Sequence, residues 1–259
     1  MFLTAFIFLI TTLLGGGAFV LMGQRGLDNL GHILSFGGAF IIAMCFLHLV
    51  PEAFGATELA GIFVLLGFLL QGGLEYMSQG IEHGHFHAHE HDEHCDDPNL
   101  KSRLPWMALV SLSLHAALES MPVVGAHEHH AGHVHGPLAL DLVDWGLVTG
   151  LVLHKVPVSM VLMAMMVESH VPRRQAWWVL VFFGLAPLAG MAIFEGLLHW
   201  LPSELMVSFP GMMQAMVVGI LLHIGTTVLF EAGEGHAFNK KKFLATCLGL
   251  GLGLLAFAR

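Results

Sequence analysis

The sequence contains few charged side chains. Lysine, arginine, aspartate and glutamate together make up 11% of its 259 residues, whereas 56% of the residues are hydrophobic. Soluble globular domains average about 25% charged residues. With a mean hydropathy of +0.75, the composition excludes an ordinary soluble domain and indicates a polytopic membrane protein.

Basic residues and cysteines are scarce as well. The chain has ten lysines and arginines and no basic patch of the kind that binds nucleic acid. Its three cysteines, Cys45, Cys95 and Cys247, are scattered, which argues against a disulfide framework and against a four-cysteine zinc site. The N-terminus lacks the basic region of a secretory signal peptide, so residues 2–22 are interpreted as a retained transmembrane helix.

Long apolar runs occupy most of the chain. A membrane-spanning helix needs about 20 mostly apolar residues, and the period-two alternation typical of strands is absent. The sequence therefore predicts an all-α fold with eight transmembrane helices in a single domain, residues 1–259. The eight predicted spans are approximately residues 2–22, 33–53, 59–77, 106–126, 142–167, 177–200, 209–230 and 243–257.

The positions of the basic residues predict the orientation. If the N-terminus lies outside, the odd-numbered loops are cytoplasmic, and these loops hold eight of the ten basic residues. The other two are Lys155, inside a predicted span, and Arg259 at the end of the sequence. Because cytoplasmic loops carry an excess of lysine and arginine, we expect both termini to lie outside. The eight are Arg25, Lys101, Arg103, Arg173, Arg174, Lys240, Lys241 and Lys242.

Two predicted loops are rich in histidine, a cytoplasmic loop at residues 82–100 and an outer loop at residues 127–137. They hold eleven of the nineteen histidines. Neutral imidazole and carboxylate suit zinc and related divalent metals, so we expect weak, multivalent metal capture on both faces. A solvated polar loop without metal is the alternative. The histidines are His83, His85, His87, His89, His91, His94, His127, His129, His130, His133 and His135.

Ionisable residues also occur inside the predicted spans. His115 and Glu119 are four residues apart in the fourth span and therefore share a helix face. His154 lies midway along the fifth span. Because ionisable groups at membrane depth are costly and usually functional, we expect these three residues to form an N,N,O metal site near the bilayer midplane. A hydrogen-bonded pair between helices, without metal, is the alternative.

A second pair, His48 and Glu52, has the same spacing near the outer end of the second span. We expect it to act as a metal entrance or relay, although a purely structural role is the alternative. Pro122, Pro157 and Pro187 lie in or beside the fourth, fifth and sixth spans. Kinked or broken helices free backbone carbonyls at the binding sites of transporters.

With these residues in place, the whole chain resembles the ZIP (Zrt/Irt-like) family of divalent metal transporters. The fourth helix of that family typically carries His-Asn-x-x-(Asp/Glu)-Gly, and the fifth carries His-Glu-x-x-Glu-Gly. Here residues 115–120 are HAALES, residues 154–159 are HKVPVS and residues 48–53 are HLVPEA. The pattern is similar to the branch of the family with His-Ala-Ala on the fourth helix and His-Lys on the fifth.

The resemblance implies that this chain lacks a second metal position. Family members with two adjacent positions have ligands for the second metal where this chain has Ala116, Lys155, Val158 and Ala186. We expect Lys155 to replace the second cation, to pair with Glu119 and to limit the site to one metal. Without a ligand at position 158, the fourth ligand of the first metal would come from water, Ser159 or another helix.

The resemblance further implies a function. The expected activity is transport of Zn²⁺, with Fe²⁺, Mn²⁺ and Cd²⁺ as further candidate substrates, toward the cytoplasm. The family also implies elevator-like alternating access by a homodimer, and we expect a multi-pass protein of the cell membrane that is not an enzyme. Two other classes stay open. One is an intramembrane zinc-dependent hydrolase, in which three ligands and an open position activate water, and the other is a metal sensor that does not transport.

Overall fold

The computed structural model describes residues 1–78, 106–123, 143–231 and 240–258. Within these ranges the chain is almost entirely helical, so the predicted all-α fold is confirmed for them. Both histidine-rich loops, with their eleven predicted capture residues, lie outside the described residues. The helices are α1 (Phe2–Met22), α2 (Gln24–Met44), α3 (Val50–Ala56), α4 (Ala60–Ser78), α5 (Trp106–Ser120), α6 (Trp145–Glu168), α7 (Arg173–Trp200), α8 (Ser203–Met206), α9 (Phe209–Glu231) and α10 (Lys240–Phe257).

Six helical segments of the described chain are long and apolar enough to cross a membrane, which suits a multi-pass membrane protein. Large apolar side chains such as Phe182 and Leu255 are exposed, as expected of surfaces that face lipid. The fourth and eighth predicted spans correspond to α5 and α10, which have only 15 and 18 residues. The six segments are Phe2–Met22, Leu30–Ala56, Ala60–Met77, Trp145–Glu168, Arg173–Trp200 and Phe209–Leu229.

Prolines affect the helices differently from one span to the next. Helix α5 ends at Ser120, earlier than the predicted end at residue 126, and Pro122 lies in a short 3₁₀ turn, Met121–Val123. Proline disfavours the α conformation in the residue before it, which explains the early end. Pro157 and Pro187, in contrast, lie inside α6 and α7, and both helices continue past them.

The second predicted span contains an irregular turn. A π-helical turn, Cys45–Leu49, joins α2 to α3. Pro51, near the start of α3, cannot donate a backbone hydrogen bond, and a π turn accommodates such a local break in the ladder. The turn carries His48, and π-helical turns occur frequently at functional sites.

The helices pack as two bundles. Helices α1, α5, α6 and α7 form one, and α2, α4, α9 and α10 form the other. The bundles meet mainly where α2 packs against α6 and where α4 packs against α5. Helix α6 is buried on nearly all sides from Val158 to Met166, as expected of a helix that is apolar all round.

Close contacts between helices define their relative directions. Gly31, near the start of α2, lies beside Lys242 at the start of α10, and His48 stacks on Phe257 at its end. Helices α2 and α10 are therefore parallel, and equivalent contacts make α1 parallel to α6, α4 to α9 and α5 to α7. In the order of the predicted spans, each of these pairs combines two odd-numbered or two even-numbered spans.

Candidate metal site

The three predicted ligands in the fourth and fifth spans lie together. His115 and Glu119 on α5 and His154 on α6 each offer one ligand atom within 4.8 Å of the others. His115 Nε2 is 3.0 Å from Glu119 Oε2, and the two imidazole rings meet edge to face with their centroids 5.9 Å apart. All three side chains are buried. Because zinc–ligand bonds are about 2.0–2.2 Å long, small side-chain shifts suffice to enclose one ion.

Helix geometry explains how the cluster is assembled. The four-residue spacing places His115 and Glu119 on one face of α5, and Glu119 lies in the last turn of that helix rather than at its middle. His154 lies ten residues inside α6. The cluster therefore joins the last turn of α5 to the middle part of α6. Helix α7 packs against both of these helices.

Lys155 contacts the cluster directly. Its Nζ donates a hydrogen bond to Glu119 Oε1 at 3.1 Å, and both side chains are 2% exposed. The ammonium group also lies over the rings of Phe8 and Phe183, 5.4 and 5.2 Å from their centroids, within the range of cation–π attraction. Glu119 is thus shared, with one oxygen toward Lys155 and the other toward His115.

Gln71 is a contact of the cluster that the sequence reasoning missed. This buried α4 side chain accepts a hydrogen bond from His115 Nδ1 over 3.0 Å. Metal-binding histidines usually donate their second ring N–H to such an acceptor, which fixes the tautomer and the ring orientation. The sequence could have indicated this residue, because a glutamine inside an apolar span is as unusual as a histidine.

The Gln71 contact has a consequence for His115. With the proton on Nδ1, the lone pair of Nε2 faces Glu119 Oε2 at 3.0 Å. Two electron-pair donors at that distance need a cation between them, either a shared proton or a metal ion. The arrangement is therefore chemically suited to hold one divalent ion.

The remaining positions near the site are apolar or already bonded. Ala116 and Val158 are buried and offer no side-chain ligand atom. The Ser159 hydroxyl donates to the carbonyl of Val156 in its own helix at 2.9 Å. Of the candidate fourth ligands, Ser159 is therefore turned toward its own backbone.

His48 and Glu52 form a second group together with Asp144, which the sequence reasoning missed. His48 Nδ1 is 3.4 Å from Glu52 Oε1, and His48 Nε2 is 3.0 Å from Asp144 Oδ1. Asp144 also caps α6 by accepting a hydrogen bond from the backbone N–H of Leu147 at 2.9 Å. An aspartate immediately before an apolar helical run is a recognisable N-cap signal, so this position could have been found.

A third polar contact lies apart from both groups. His223 Nε2 on α9 is 2.5 Å from Glu75 Oε2 on α4, within one bundle. Neither residue belongs to the two sets of three potential metal ligands found among the described residues. We therefore interpret the pair as an interhelical contact that joins α4 to α9.

Neither the known protein-family models nor the curated proteins include a match to this chain.

Proposed function

We propose that this protein transports divalent metal ions across a membrane through one buried site formed by His115, Glu119 and His154. The observation that carries the proposal is the convergence of their ligand atoms within 4.8 Å, deep among helices of membrane-spanning length. Two imidazoles and a carboxylate suit Zn²⁺, with Fe²⁺, Mn²⁺ and Cd²⁺ as further candidate substrates. Such groups inside a membrane protein are functional by default, and the resemblance to the ZIP family favours the same activity.

Lys155 limits the site to one ion. Its ammonium neutralises Glu119, and it stands where a second divalent ion would have to bind. A second divalent ion beside Glu119 Oε1 would have to displace this buried ammonium, which already occupies that side of the carboxylate. The other oxygen of Glu119 remains directed toward His115, where the first ion would bind.

The proposed topology has eight spans with both termini outside. It is supported by the basic residues in the odd-numbered loops and by the parallel packing of spans of the same parity. In this orientation His48 and Glu52 lie at the outer end, where metal enters. The histidine-rich loop at residues 82–100 receives metal on the cytoplasmic side. A homodimer in the cell membrane completes the proposal.

The division into two bundles supports an elevator-like movement. All three proposed ligands and Lys155 belong to the bundle of α1, α5, α6 and α7. The polar contacts that cross to the other bundle include Gln71 with His115, the Leu74 carbonyl with the Ser111 hydroxyl at 2.6 Å, and His48 with Asp144 at 3.0 Å. Breaking these few contacts would let the ligand-bearing bundle move relative to its neighbour.

Nothing in the part of the chain that the structure describes supports the hydrolase alternative. A zinc hydrolase needs a base for the metal-bound water in addition to the metal ligands. Among the described residues, Glu119 is the carboxylate of the buried group, and its oxygens face Lys155 and His115. It serves as a ligand and counter-ion in this geometry, which favours transport.

Uptake of radioactive zinc into proteoliposomes tests the proposal, and a panel of metals with and without a pH gradient defines the substrate and the coupling. We expect His115→Ala and His154→Ala to abolish uptake. His199→Ala is the matched control, because this exposed histidine at the end of α7 is outside both ligand groups. Normal uptake by the two site variants would refute the site. Zinc binding without uptake by the unmodified protein would indicate a sensor instead.

A further inference from the structure

We infer that His48, Glu52 and Asp144 form a second divalent cation site at the end of the molecule that is predicted to face outward. One potential ligand atom from each of the three lies within 4.8 Å of the others. The inference that this group binds a metal ion depends on these residues alone. Only its role in delivering metal to the buried site rests on the proposed function.

The group is accessible from solvent and yet firmly held. The side chain of Glu52 is 42% exposed and that of His48 is 24% exposed, whereas Asp144 is only 4% exposed. The imidazole of His48 is stacked on Phe257, with ring centroids 5.5 Å apart and an interplanar angle of 11°. An ion arriving from water therefore meets Glu52 and a fixed imidazole ring first, and the buried carboxylate of Asp144 behind them.

Each carboxylate is oriented by a hydrogen-bond donor. Gln214 Nε2 on α9 donates to Glu52 Oε2 at 2.7 Å. The backbone N–H of Leu147 donates to Asp144 Oδ1 at 2.9 Å. Metal ligands are typically held by such outer contacts, which keep the ligand atoms convergent and strengthen binding.

The ligand chemistry differs from that of the buried site. One imidazole and two carboxylates make up the outer group, and the carboxylates carry two negative charges. The buried group has two imidazoles and one carboxylate, which Lys155 neutralises. The outer group therefore attracts divalent cations more strongly from a distance and, with its two oxygen ligands, accepts Mn²⁺ and Fe²⁺ as well as Zn²⁺.

The outer site connects the two bundles. His48 and Glu52 belong to the segment from α2 through α3, whereas Asp144 immediately precedes α6. A bound ion would therefore link the bundle of α2, α4, α9 and α10 to the helix that carries His154 and Lys155. Gly146 makes this approach possible, because a Cβ atom there would lie 2.5 Å from His48 Nε2 and 3.2 Å from Asp144 Oδ1.

Fluorescence of Trp145, the residue after Asp144, provides a local readout. The full-length protein, with its other tryptophans replaced by phenylalanine, is titrated in detergent with Co²⁺, which quenches a nearby indole. We expect saturable quenching that Zn²⁺ reverses. His48→Gln and Asp144→Asn should raise the half-saturating concentration at least about tenfold, because even the loss of an outer contact to a ligand typically lowers metal affinity about 10–100-fold.

The variants separate metal binding from folding. Asn at position 144 still caps α6, because asparagine and aspartate are comparable N-cap residues. Gly146→Ala removes no ligand but crowds the His48 ring, and should also weaken quenching. If either substitution at 48 or 144 disturbs folding, Glu52→Gln on the most exposed ligand replaces it. Quenching that is unchanged in these variants would show that the ion binds elsewhere, for example at the outer histidine-rich loop, and would overturn the inference.

One further variant, Glu119→Gln, distinguishes this site from the transport proposal. Glu119→Gln should abolish zinc uptake and leave the quenching of Trp145 unchanged. If the unmodified protein takes up no metal but shows quenching that depends on His48 and Asp144, the outer site is supported and transport is refuted. If the protein takes up metal but substitutions of His48 and Asp144 leave the quenching unchanged, transport is supported and the outer site is refuted.

Discussion

At the scale of single residues, Lys155 is the most informative side chain. It is a fully enclosed cation whose ammonium contacts one carboxylate and two aromatic rings. Removing one partner of a buried ion pair typically costs about 3–5 kcal/mol, because the other charge remains buried and uncompensated. In this protein the uncompensated charge would belong to Glu119, which is also a proposed metal ligand. The loss of the lysine should therefore change the affinity for metal.

Lys155→Met tests this directly, since methionine has a similar length and no charge. We expect the metal-free protein to unfold at a lower temperature and to be stabilised by Zn²⁺ more than the parent. Zinc affinity should rise at least about tenfold, equivalent to about 1.4 kcal/mol, because no ammonium competes for Glu119. Thermal unfolding and equilibrium zinc binding measure both effects. The exposed Lys240→Met serves as the control, and equal zinc affinity in Lys155→Met and the parent would contradict the role of this lysine.

Residue-scale predictions from sequence succeed where the relevant geometry is local. His115 and Glu119 share a face because a four-residue spacing has that result in any α-helix. Gln71 and Asp144 contact their histidine partners across 44 and 96 positions of sequence. Such contacts depend on how helices pack, and hydropathy does not encode packing. Both residues carried a polar or capping signal, but the sequence alone does not identify their partners.

At the scale of helices, the apolar runs predict the existence of the elements better than their ends. Helix α6 extends to Glu168, within one residue of its predicted end, because the apolar run stops there. Helix α5 stops at Ser120 because of Pro122, and the π-helical turn, Cys45–Leu49, has no signature in hydropathy. Both irregularities lie at proposed ligands, where local structure departs from regular periodicity.

Close packing of α5 against α7 gives a prediction at this scale. A Cβ atom at Gly190 would overlap the carbonyl of Ala117, and the Ser120 hydroxyl donates to the carbonyl of Pro187 at 3.1 Å. Gly190→Ala should therefore push α5 away, destabilise the protein by about 1–3 kcal/mol and weaken zinc binding, since His115 lies on α5. Thermal unfolding and zinc titration provide the measurements.

The same helix supplies the matched control for that substitution. A Cβ atom at Gly196 would have nothing within 4 Å. Gly196→Ala should be neutral or stabilising by up to about 1 kcal/mol, because alanine is the better helix former. If the two substitutions change stability and zinc affinity equally, close contact between α5 and α7 does not position the ligands.

At the scale of the whole molecule, the two bundles have different parts in the proposed function. The buried ligands and Lys155 lie in one bundle, and Gln71, His48 and Glu52 lie in the other. The outer group connects the bundles through Asp144. Metal at either site therefore touches the boundary between the bundles, and release of these contacts is the step that would couple metal binding to movement.

A disulfide across that boundary tests whether the movement is needed. Gly150 of α6 packs on Met44 of α2, and a Cβ atom at position 150 would lie 3.7 Å from Met44 Cγ. Cysteines at positions 44 and 150 can therefore approach the Cβ–Cβ distance of a disulfide, about 3.8 Å. In a background without Cys45, Cys95 and Cys247, we expect oxidation of this pair to stop uptake and reduction to restore it, while zinc binding persists.

The control disulfide joins two helices of the same bundle. Gly38 on α2 faces Val228 on α9, where a new Cβ atom would lie 3.3 Å from that of Val228. Cysteines at positions 38 and 228 should form a disulfide that leaves uptake intact, because α2 and α9 belong to one bundle and would move together. Uptake that continues after complete oxidation of the 44–150 pair would rule out relative movement of the bundles, and metal would then have to pass between static helices.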